Sequence, residues 1–255
     1  MQPIANARKL LEGHWQEAIC AQCFEVLVVL VLLLASWHFG RVIRETTGEF
    51  ALPFLILATL AFCFFDLLLR SPIRAGKAAF YAELMRDRSL AARRILSGFQ
   101  TGMYQKAVSL RMALWTRRIG LYILWFCPSA ALLALSDTFR QSGLNTSAAQ
   151  LTFLLLTFFA VCALVAAVVI VELRLLRFMP AWYLLEECST ARDAMRRARG
   201  QMKGQIGDAL RLYVDFLGWR IGYAVIVPYF YASPLFAVAR AAWVNKAAAR
   251  FSKEG

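Results

Sequence analysis

The sequence predicts an all-α, polytopic membrane helix bundle, and three observations lead to this fold class. Hydrophobic residues make up 60% of the 255 residues and the mean hydropathy is +0.55, above the usual apolar share of a globular protein. Apolar runs recur along the chain, with lengths close to the ~20 residues that a helix needs to cross a bilayer core. Most of the 29 Lys and Arg residues flank these runs. We therefore expect one integral membrane domain over residues 1–255.

The apolar runs give about six predicted transmembrane spans. The clearest run, residues 151–171, has 21 residues and no charged side chain. Pro128 lies inside the third run, where a transmembrane helix tolerates a proline kink. The predicted spans are residues 19–39, 50–69, 119–135, 151–171, 206–227 and 228–245.

The number of spans near the C-terminus depends on where Lys and Arg fall. A single span there, at residues 221–239, would place the basic C-terminal tail outside the membrane. Six spans leave only Arg41, Arg44 and Arg140 on the outer side, in agreement with the enrichment of Lys and Arg in cytoplasmic loops. We therefore favour six spans over five, with both termini cytoplasmic.

Amphipathic helices are predicted on the cytoplasmic membrane surface between the spans. They cover approximately residues 3–18, 74–110 and 183–204. In the second, apolar residues recur at roughly helical spacing among charged residues, as in helices that lie on a membrane. They are Phe80, Leu84, Ala91, Ile95 and Phe99. The third contains Thr190-Ala-Arg-Asp193, which is similar to a capping box with Asp in place of Glu or Gln.

The helix after Thr190 carries four cations on one side, here called the cationic stripe. They are Arg192, Arg196, Arg199 and Lys203. Met195, Ala198 and Met202 occupy the adjacent arc, so the helix could bury its methionine side at the headgroup boundary while the stripe contacts lipid phosphates. The stripe is the predicted contact with anionic lipid or a partner protein. The alternative is that these cations only follow the positive-inside rule.

An intramembrane polar cluster is predicted around Arg220, about midway along the fifth span. An unpaired Arg inside a bilayer costs roughly 2.5–3.5 kcal/mol on insertion scales, so it needs a partner. Asp215 lies on the same helix, about 140° away around the axis, but a long Arg side chain can extend toward the inner surface. The predicted cluster is Asp66, Arg118, Asp215 and Arg220. We interpret it as structural, with an ion path as the alternative, and Asp66 also has an i, i+4 partner in Arg70.

A faint internal repeat relates residues 50–136 to residues 151–228. Leu69-Arg70-Ser71-Pro72 has a counterpart in Leu176-Arg177-Phe178-Met179-Pro180, and Arg118-Ile-Gly in Arg220-Ile-Gly. Two copies with the same orientation would be parallel repeats, which some transporters contain. Echoes of this length also arise by chance in apolar, Arg-rich sequence.

Short motifs of Gly, Pro and aromatic residues extend over most of the chain. They are Ala7 to Gly13, Ser71-Pro72 to Gly76, Ser97-Gly98-Phe99 with Tyr104, Trp125 and Pro128, Pro180, Ala194, Met202-Lys203-Gly204, Phe216-Leu217-Gly218-Trp219, and Pro234 with Ala241-Ala242-Trp243. With these motifs the chain resembles the bacterial membrane family catalogued as domain of unknown function 975. It departs from that family at Pro128-Ser129, at the Arg after Gly218-Trp219, and in a short turn between the last two spans. The resemblance implies a multi-pass protein of the bacterial inner membrane, and it implies no catalytic residue.

Motifs for catalysis and cofactor binding are missing from the sequence. It contains no P-loop, H-E-x-x-H, G-x-S-x-G or G-x-G-x-x-G motif. The two histidines, His14 and His38, are far apart, and Cys20 and Cys23 form a C-x-x-C at the start of a span, where the two residues share a helix face. We therefore predict no catalytic residue, no cofactor and no metal ligand.

Two functional classes follow from these observations. The first is a non-enzymatic scaffold or accessory protein that binds anionic headgroups, a membrane protein partner or a second copy of itself at its cytoplasmic face. The second is a small transporter or channel-like protein built from parallel repeats, with an ion path past Asp66, Asp215 and Arg220. Nucleic acid is not an expected partner, because the net charge of +13 is explained by cations beside the apolar runs.

Overall fold

The computed structural model describes residues 2–48, 51–85, 92–141, 147–216 and 226–254. Its helices are, in chain order, α1 (Gln2–Leu11), α2 (Trp15–Thr47), α3 (Ala51–Leu84), a 3₁₀ helix (Ala92–Phe99), α4 (Thr101–Gln141), α5 (Ser147–Leu176), α6 (Ala181–Leu184), α7 (Ala191–Gln201), α8 (Ile206–Asp215) and α9 (Ile226–Glu254). Within these ranges there is no β-strand, which confirms the predicted all-α class.

Four stretches of the described chain are long and apolar enough to cross a membrane. They are Trp15–Thr46, Leu52–Leu84, Thr101–Thr138 and Ala148–Leu184. The first four predicted spans overlap these stretches, because each contains a long run of apolar side chains with at most one charged residue. Sequence hydropathy therefore locates these four helices.

The two C-terminal spans stay predictions. α8 occupies the first ten residues of the predicted span 206–227 and ends at Asp215, while residues 217–225 lie outside the described part of the chain. α9 has 29 residues and includes the predicted span 228–245. Its residues Ala232 and Val238 have no exposed surface, so this side of α9 contacts protein.

α3 is one continuous helix of 34 residues and does not end near residue 69, where the predicted second span ends. Pro72 lies inside it, although proline removes one backbone hydrogen bond and commonly kinks or ends a helix. Ser71, which is fully buried, donates a hydrogen bond from its hydroxyl to the carbonyl of Leu67. The helix thus passes through the point where the sequence predicts a change from a span to a surface helix.

The 3₁₀ helix packs directly on α3 at two glycines. A Cβ atom at Gly76 would overlap the carbonyl of Ile95, and a Cβ atom at Gly98 would overlap the carbonyl of Pro72. The two backbones are therefore in contact, which only residues without a side chain allow. This close packing holds α3 at Pro72 and at Gly76, about one helical turn further along.

The chain divides into two units, of which the larger comprises Met1–Met112 and Phe178–Gly255. Its core combines side chains from α1, α2, α3, the 3₁₀ helix, α8 and α9. Among them are Ala7, Leu11, Phe80, Tyr81, Leu84, Ile95, Phe216, Leu235 and Val238. The prediction that Phe80, Leu84 and Ile95 lie on the membrane surface is therefore wrong, because α3, the 3₁₀ helix and α9 provide their apolar partners. Phe99 is 39% exposed, and Ala91 lies outside the described residues.

The smaller unit, Ala113–Arg177, contains the second part of α4 and all of α5. Glu172 accepts hydrogen bonds from Arg118 at 2.6 Å and from the Tyr122 hydroxyl at 3.1 Å. The Arg174 guanidinium lies 5.6 Å from the ring centroid of Trp125. Many large apolar side chains of α5 are exposed, which suits contact with lipid; they include Leu151, Leu154, Phe158, Phe159 and Val165.

The two copies of the predicted repeat differ in local structure at their first echo. Pro72 lies inside the long helix α3, whereas Pro180 is the N-cap residue of α6, a helix of four residues. The duplicated unit therefore stays a prediction.

Candidate functional site

The cationic stripe is exposed over its whole length. Arg192, Arg196 and Arg199 project from α7, and Lys203 lies in the turn that follows the helix; all four are exposed. Arg196 forms an ion pair with Asp193 at 3.3 Å. In the part of the chain that the structure describes, no carboxylate lies within ion-pair distance of the other three cations.

The opposite face of α7 is packed inside the protein. Met195 is 5% exposed, Met202 is 1% exposed and Ala198 is completely buried. The helix contacts α6 and α9. The prediction that the methionine side lies in the headgroup boundary is therefore wrong, because these side chains already have apolar partners in the protein.

The start of α7 confirms the predicted cap. The Thr190 hydroxyl oxygen accepts a hydrogen bond from the Asp193 backbone N–H at 3.2 Å. The Asp193 carboxylate in turn accepts hydrogen bonds from the hydroxyls of Thr190 at 2.7 Å and Ser189 at 2.8 Å. These hydrogen bonds, with that from Thr190 the stronger, lower the pKa of Asp193. The cap satisfies an N–H group at the helix start, so it fixes the orientation in which α7 presents the stripe.

Asp66, the first residue of the predicted polar cluster, has two partners. It pairs with Arg70 at 3.1 Å, which confirms the i, i+4 pair expected from the sequence. It also pairs with Arg111 of α4, which donates a second hydrogen bond to the Asp66 backbone carbonyl at 2.8 Å. Arg111 was not among the predicted partners.

The other three residues of the predicted cluster have different surroundings. Arg118 pairs with Glu172 inside the smaller unit. Asp215 is exposed and lines a cleft beside α8. Arg220 lies outside the described residues. Asp66 thus pairs with Arg70, as expected from the sequence, and with Arg111, which was not expected.

A partly buried group of charged and polar side chains, here called the Glu25 network, lies where α2, α3, α4 and α9 meet. It consists of Gln22, Glu25, Asp66, Arg70, Arg74, Lys77, Arg111 and Tyr229. The Lys77 ammonium lies 2.5 Å from a carboxylate oxygen of Glu25. Arg74 and Arg70 lie 3.7 Å and 3.8 Å from its other oxygen. One carboxylate on α2 therefore contacts three cations on α3.

Hydrogen bonds extend the Glu25 network to a further helix. Lys77 also donates to the side-chain oxygen of Gln22 at 2.5 Å, and the Gln22 amide donates to the Tyr229 hydroxyl of α9. The side chains of Lys77, Glu25 and Arg111 are only 13%, 14% and 7% exposed. Charges are costly to bury unless they are paired, and here the pairs and hydrogen bonds join four helices.

Sequence reasoning missed the Glu25 network, although signals for it exist. Glu25 is the one charged residue in the predicted span 19–39. Arg70, Arg74 and Lys77 fall at i, i+4 and i+7, which places them on one helix face. The predicted second span ends at residue 69, so the sequence places these three cations in the surface segment that follows it.

The Glu25 network lies at one end of the apolar part of α3. Exposed apolar side chains of α3 begin at Leu52, which is 68% exposed, and continue to Leu69, which is 39% exposed. These 18 residues measure about 27 Å along a helix, close to the ~30 Å thickness of a bilayer core. Arg70 follows directly, so the network lies at the end of this exposed apolar stretch.

A cleft of about 590 Å³ lies between α1, α8 and α9 of the larger unit. Its polar lining includes Asn6, Gln205, Asp208, Arg211, Asp215, Lys246 and Arg250. Arg250 pairs with Asp208 at 3.3 Å across it. The lining carries both signs of charge, and among the described residues no group of His, Cys, Asp and Glu is placed to hold a metal ion.

The long apolar helices and the charged network at their end define the class, an all-helical membrane protein with four candidate spans in the described ranges. Comparison with known proteins identifies no relative: no family model, no curated protein and no solved structure matches the chain.

Proposed function

We propose that this protein is a non-enzymatic scaffold or accessory protein of the bacterial inner membrane that binds anionic groups at its cytoplasmic face through the cationic stripe. The observation that carries the proposal is the division of α7 into two faces. Its apolar face is buried against α6 and α9, while all four cations of the stripe are exposed. A helix that is anchored by the protein itself holds its cations in a fixed row.

The strength of such a contact follows from membrane electrostatics. Each Lys or Arg near an anionic leaflet contributes about 1 kcal/mol, and the contribution falls within a Debye length. Because Met195 and Met202 are packed in the protein, α7 has no free apolar face to insert. The contact is therefore electrostatic, and it weakens with added salt. Anionic lipid and an acidic surface of a partner protein both fit this chemistry.

The test is to replace Arg192, Arg196, Arg199 and Lys203 with Gln. We expect the variant to lose most of the anionic lipid or acidic partner that co-purifies with the wild-type protein, measured by mass spectrometry after gentle detergent extraction. The midpoint of thermal unfolding should change little, since the buried face of α7 and its cap are untouched.

A matched control replaces Arg41 and Arg44, two exposed cations at the C-terminal end of α2, with Gln. This control should keep the co-purified lipid or protein. Unchanged co-purification in the four-Gln variant would mean that the stripe only sets the topology. Loss of a co-purified protein while lipid is retained would show that the stripe binds a partner protein.

The proposal also covers the membrane topology of the chain and the family to which it belongs. Six spans with both termini cytoplasmic place all but three Lys and Arg residues on the inner side or within spans. The Gly, Pro and aromatic motifs support membership of the family catalogued as domain of unknown function 975. Two of them, the segment from Ser71 to Gly76 and Ser97-Gly98-Phe99, contain the glycines at which α3 and the 3₁₀ helix touch.

A small transporter is the second candidate, and the Glu25 network is the observation that favours it. Ionisable side chains within apolar helices often mark paths for ions or protons. We rank it second because the network lies at the end of the apolar stretch of α3 and not near the middle of the bilayer, where transporter sites lie.

A further inference from the structure

The Glu25 network contains more positive than negative charge. Four cations, Arg70, Arg74, Lys77 and Arg111, surround two carboxylates, Glu25 and Asp66. Among the described residues, no third carboxylate lies within ion-pair distance of these cations. Arg side chains keep their protons in proteins, so three Arg outnumber two carboxylates even when Lys77 is neutral.

An excess of positive charge in a partly desolvated site is costly unless an anion compensates it. Lys77 and Arg111 are enclosed by the protein, but the Arg74 side chain is 43% exposed and that of Arg70 is 24% exposed. The Nε–H of Arg70 is buried without an acceptor in the described chain. An anion can reach the network only through the exposed parts of the Arg70 and Arg74 side chains.

The position of these two residues indicates the source of the anion. Arg70 directly follows the exposed apolar stretch that ends at Leu69, and Arg74 lies one helical turn further along α3. Lipid phosphates lie immediately outside the hydrocarbon core, at this depth. The planar guanidinium group also matches phosphate oxygens through paired hydrogen bonds.

We propose that Arg70 and Arg74 bind the phosphate of an anionic lipid headgroup, which compensates the excess positive charge of the Glu25 network. The site is on α3 and is separate from the cationic stripe of α7. It depends on the placement of α3 in a membrane and not on the function proposed for the stripe.

The experiment measures the midpoint of thermal unfolding of the purified protein in detergent during titration with phosphatidylglycerol, phosphatidylcholine or inorganic phosphate. Phosphatidylglycerol should raise the midpoint of the wild-type protein, because a ligand that binds the folded state stabilises it. Arg74→Gln should need about tenfold more phosphatidylglycerol for the same rise. Arg74→Lys, which keeps the charge and loses the guanidinium fork, should be intermediate.

Two controls separate this site from the alternatives. Arg41→Gln removes an exposed cation whose partner is Glu45, and its titration should match the wild-type curve. In the four-Gln variant of the stripe, phosphatidylglycerol should still raise the midpoint of unfolding by the part that depends on Arg74. This holds whether or not the stripe itself binds lipid. An equal rise in wild type and Arg74→Gln, or an equal rise with phosphatidylcholine, would overturn the proposal. A rise with inorganic phosphate as large as that with phosphatidylglycerol would show a site for a soluble anion and would overturn the lipid assignment.

Discussion

At the scale of single residues, Glu25 connects more of the structure than any charge that the sequence singled out. Its carboxylate contacts Lys77, Arg74 and Arg70 of α3. Through Lys77 it is linked to Gln22, and from there to Tyr229 of α9. A buried charge with several partners stabilises little in absolute terms, but removing one partner leaves the others without compensation.

The residue-scale prediction is that Glu25→Gln destabilises the protein by roughly 3–5 kcal/mol, because three cations lose their shared carboxylate. The double variant Glu25→Gln with Lys77→Met should be less destabilised than the sum of the two single variants. Thermal or denaturant unfolding in detergent measures both effects.

The control for this prediction is Glu45→Gln. Glu45 pairs with Arg41 at 3.0 Å, but both side chains are more than half exposed, so the loss should be at most about 1 kcal/mol. Additive effects of the Glu25 and Lys77 changes would show that the two side chains are not coupled.

The sequence predicts the ion pair within one helix of this network, but not the ion pairs between helices. The Asp66–Arg70 pair is four residues apart on one helix, so helical geometry alone predicts it. The Asp66–Arg111 and Glu25–Lys77 pairs join residues that are 45 and 52 positions apart. Such pairs depend on how the helices pack against one another. The periodicity of a single segment gives no information about this packing.

At the scale of elements, hydropathy located the apolar helices but misplaced their ends. Charge density rises after residue 69, and this rise predicted a surface helix from residue 74. The structure continues α3 to Leu84, because Arg70, Arg74 and Lys77 find carboxylates on neighbouring side chains and Phe80 enters a protein core. A change from apolar to charged sequence therefore marked the end of the lipid contact and not the end of the helix.

The element-scale prediction concerns the contact between α3 and the 3₁₀ helix. Gly98→Ala should destabilise the protein by about 1–3 kcal/mol or more, because the new methyl group overlaps the Pro72 carbonyl and the two backbones must separate. Thermal unfolding in detergent measures the loss.

Gly102→Ala is the matched control. No atom lies within 4 Å of a Cβ at this position, and Gly102 is in the first turn of α4. Because Ala favours a helix over Gly, this change should be neutral or stabilising by up to about 1 kcal/mol. Equal effects at the two glycines would contradict the close backbone contact.

At the scale of the whole molecule, the sequence predicts correctly which face of α7 is apolar, but it does not predict what that face contacts. The pattern separates Met195, Ala198 and Met202 from the cationic stripe, and the structure keeps that separation. Periodicity shows which face of a helix is apolar, but lipid and protein both provide apolar contact. The choice between them depends on α6 and α9, which approach α7 from elsewhere in the chain.

The prediction for the whole molecule is that both termini are cytoplasmic, as six spans require. A reporter that is active only in the cytoplasm, fused after Gly255, should be active, because the tail with Arg240, Lys246, Arg250 and Lys253 then obeys the positive-inside rule. The control is the same reporter inserted between α2 and α3, after Gly48, where activity should be lost. An inactive C-terminal fusion would instead support five spans.

The unbroken length of α3 has a mechanical consequence. A helix of 34 residues is about 51 Å long, and only its first half is apolar on the outside. In a bilayer thinner than that half, the helix relieves the mismatch by tilting. The glycine contacts leave no gap between α3 and the 3₁₀ helix, so the packed core that surrounds Phe80 must tilt with it. Where bilayer thickness changes the tilt of α3, the orientation of the larger unit as a whole therefore changes with it.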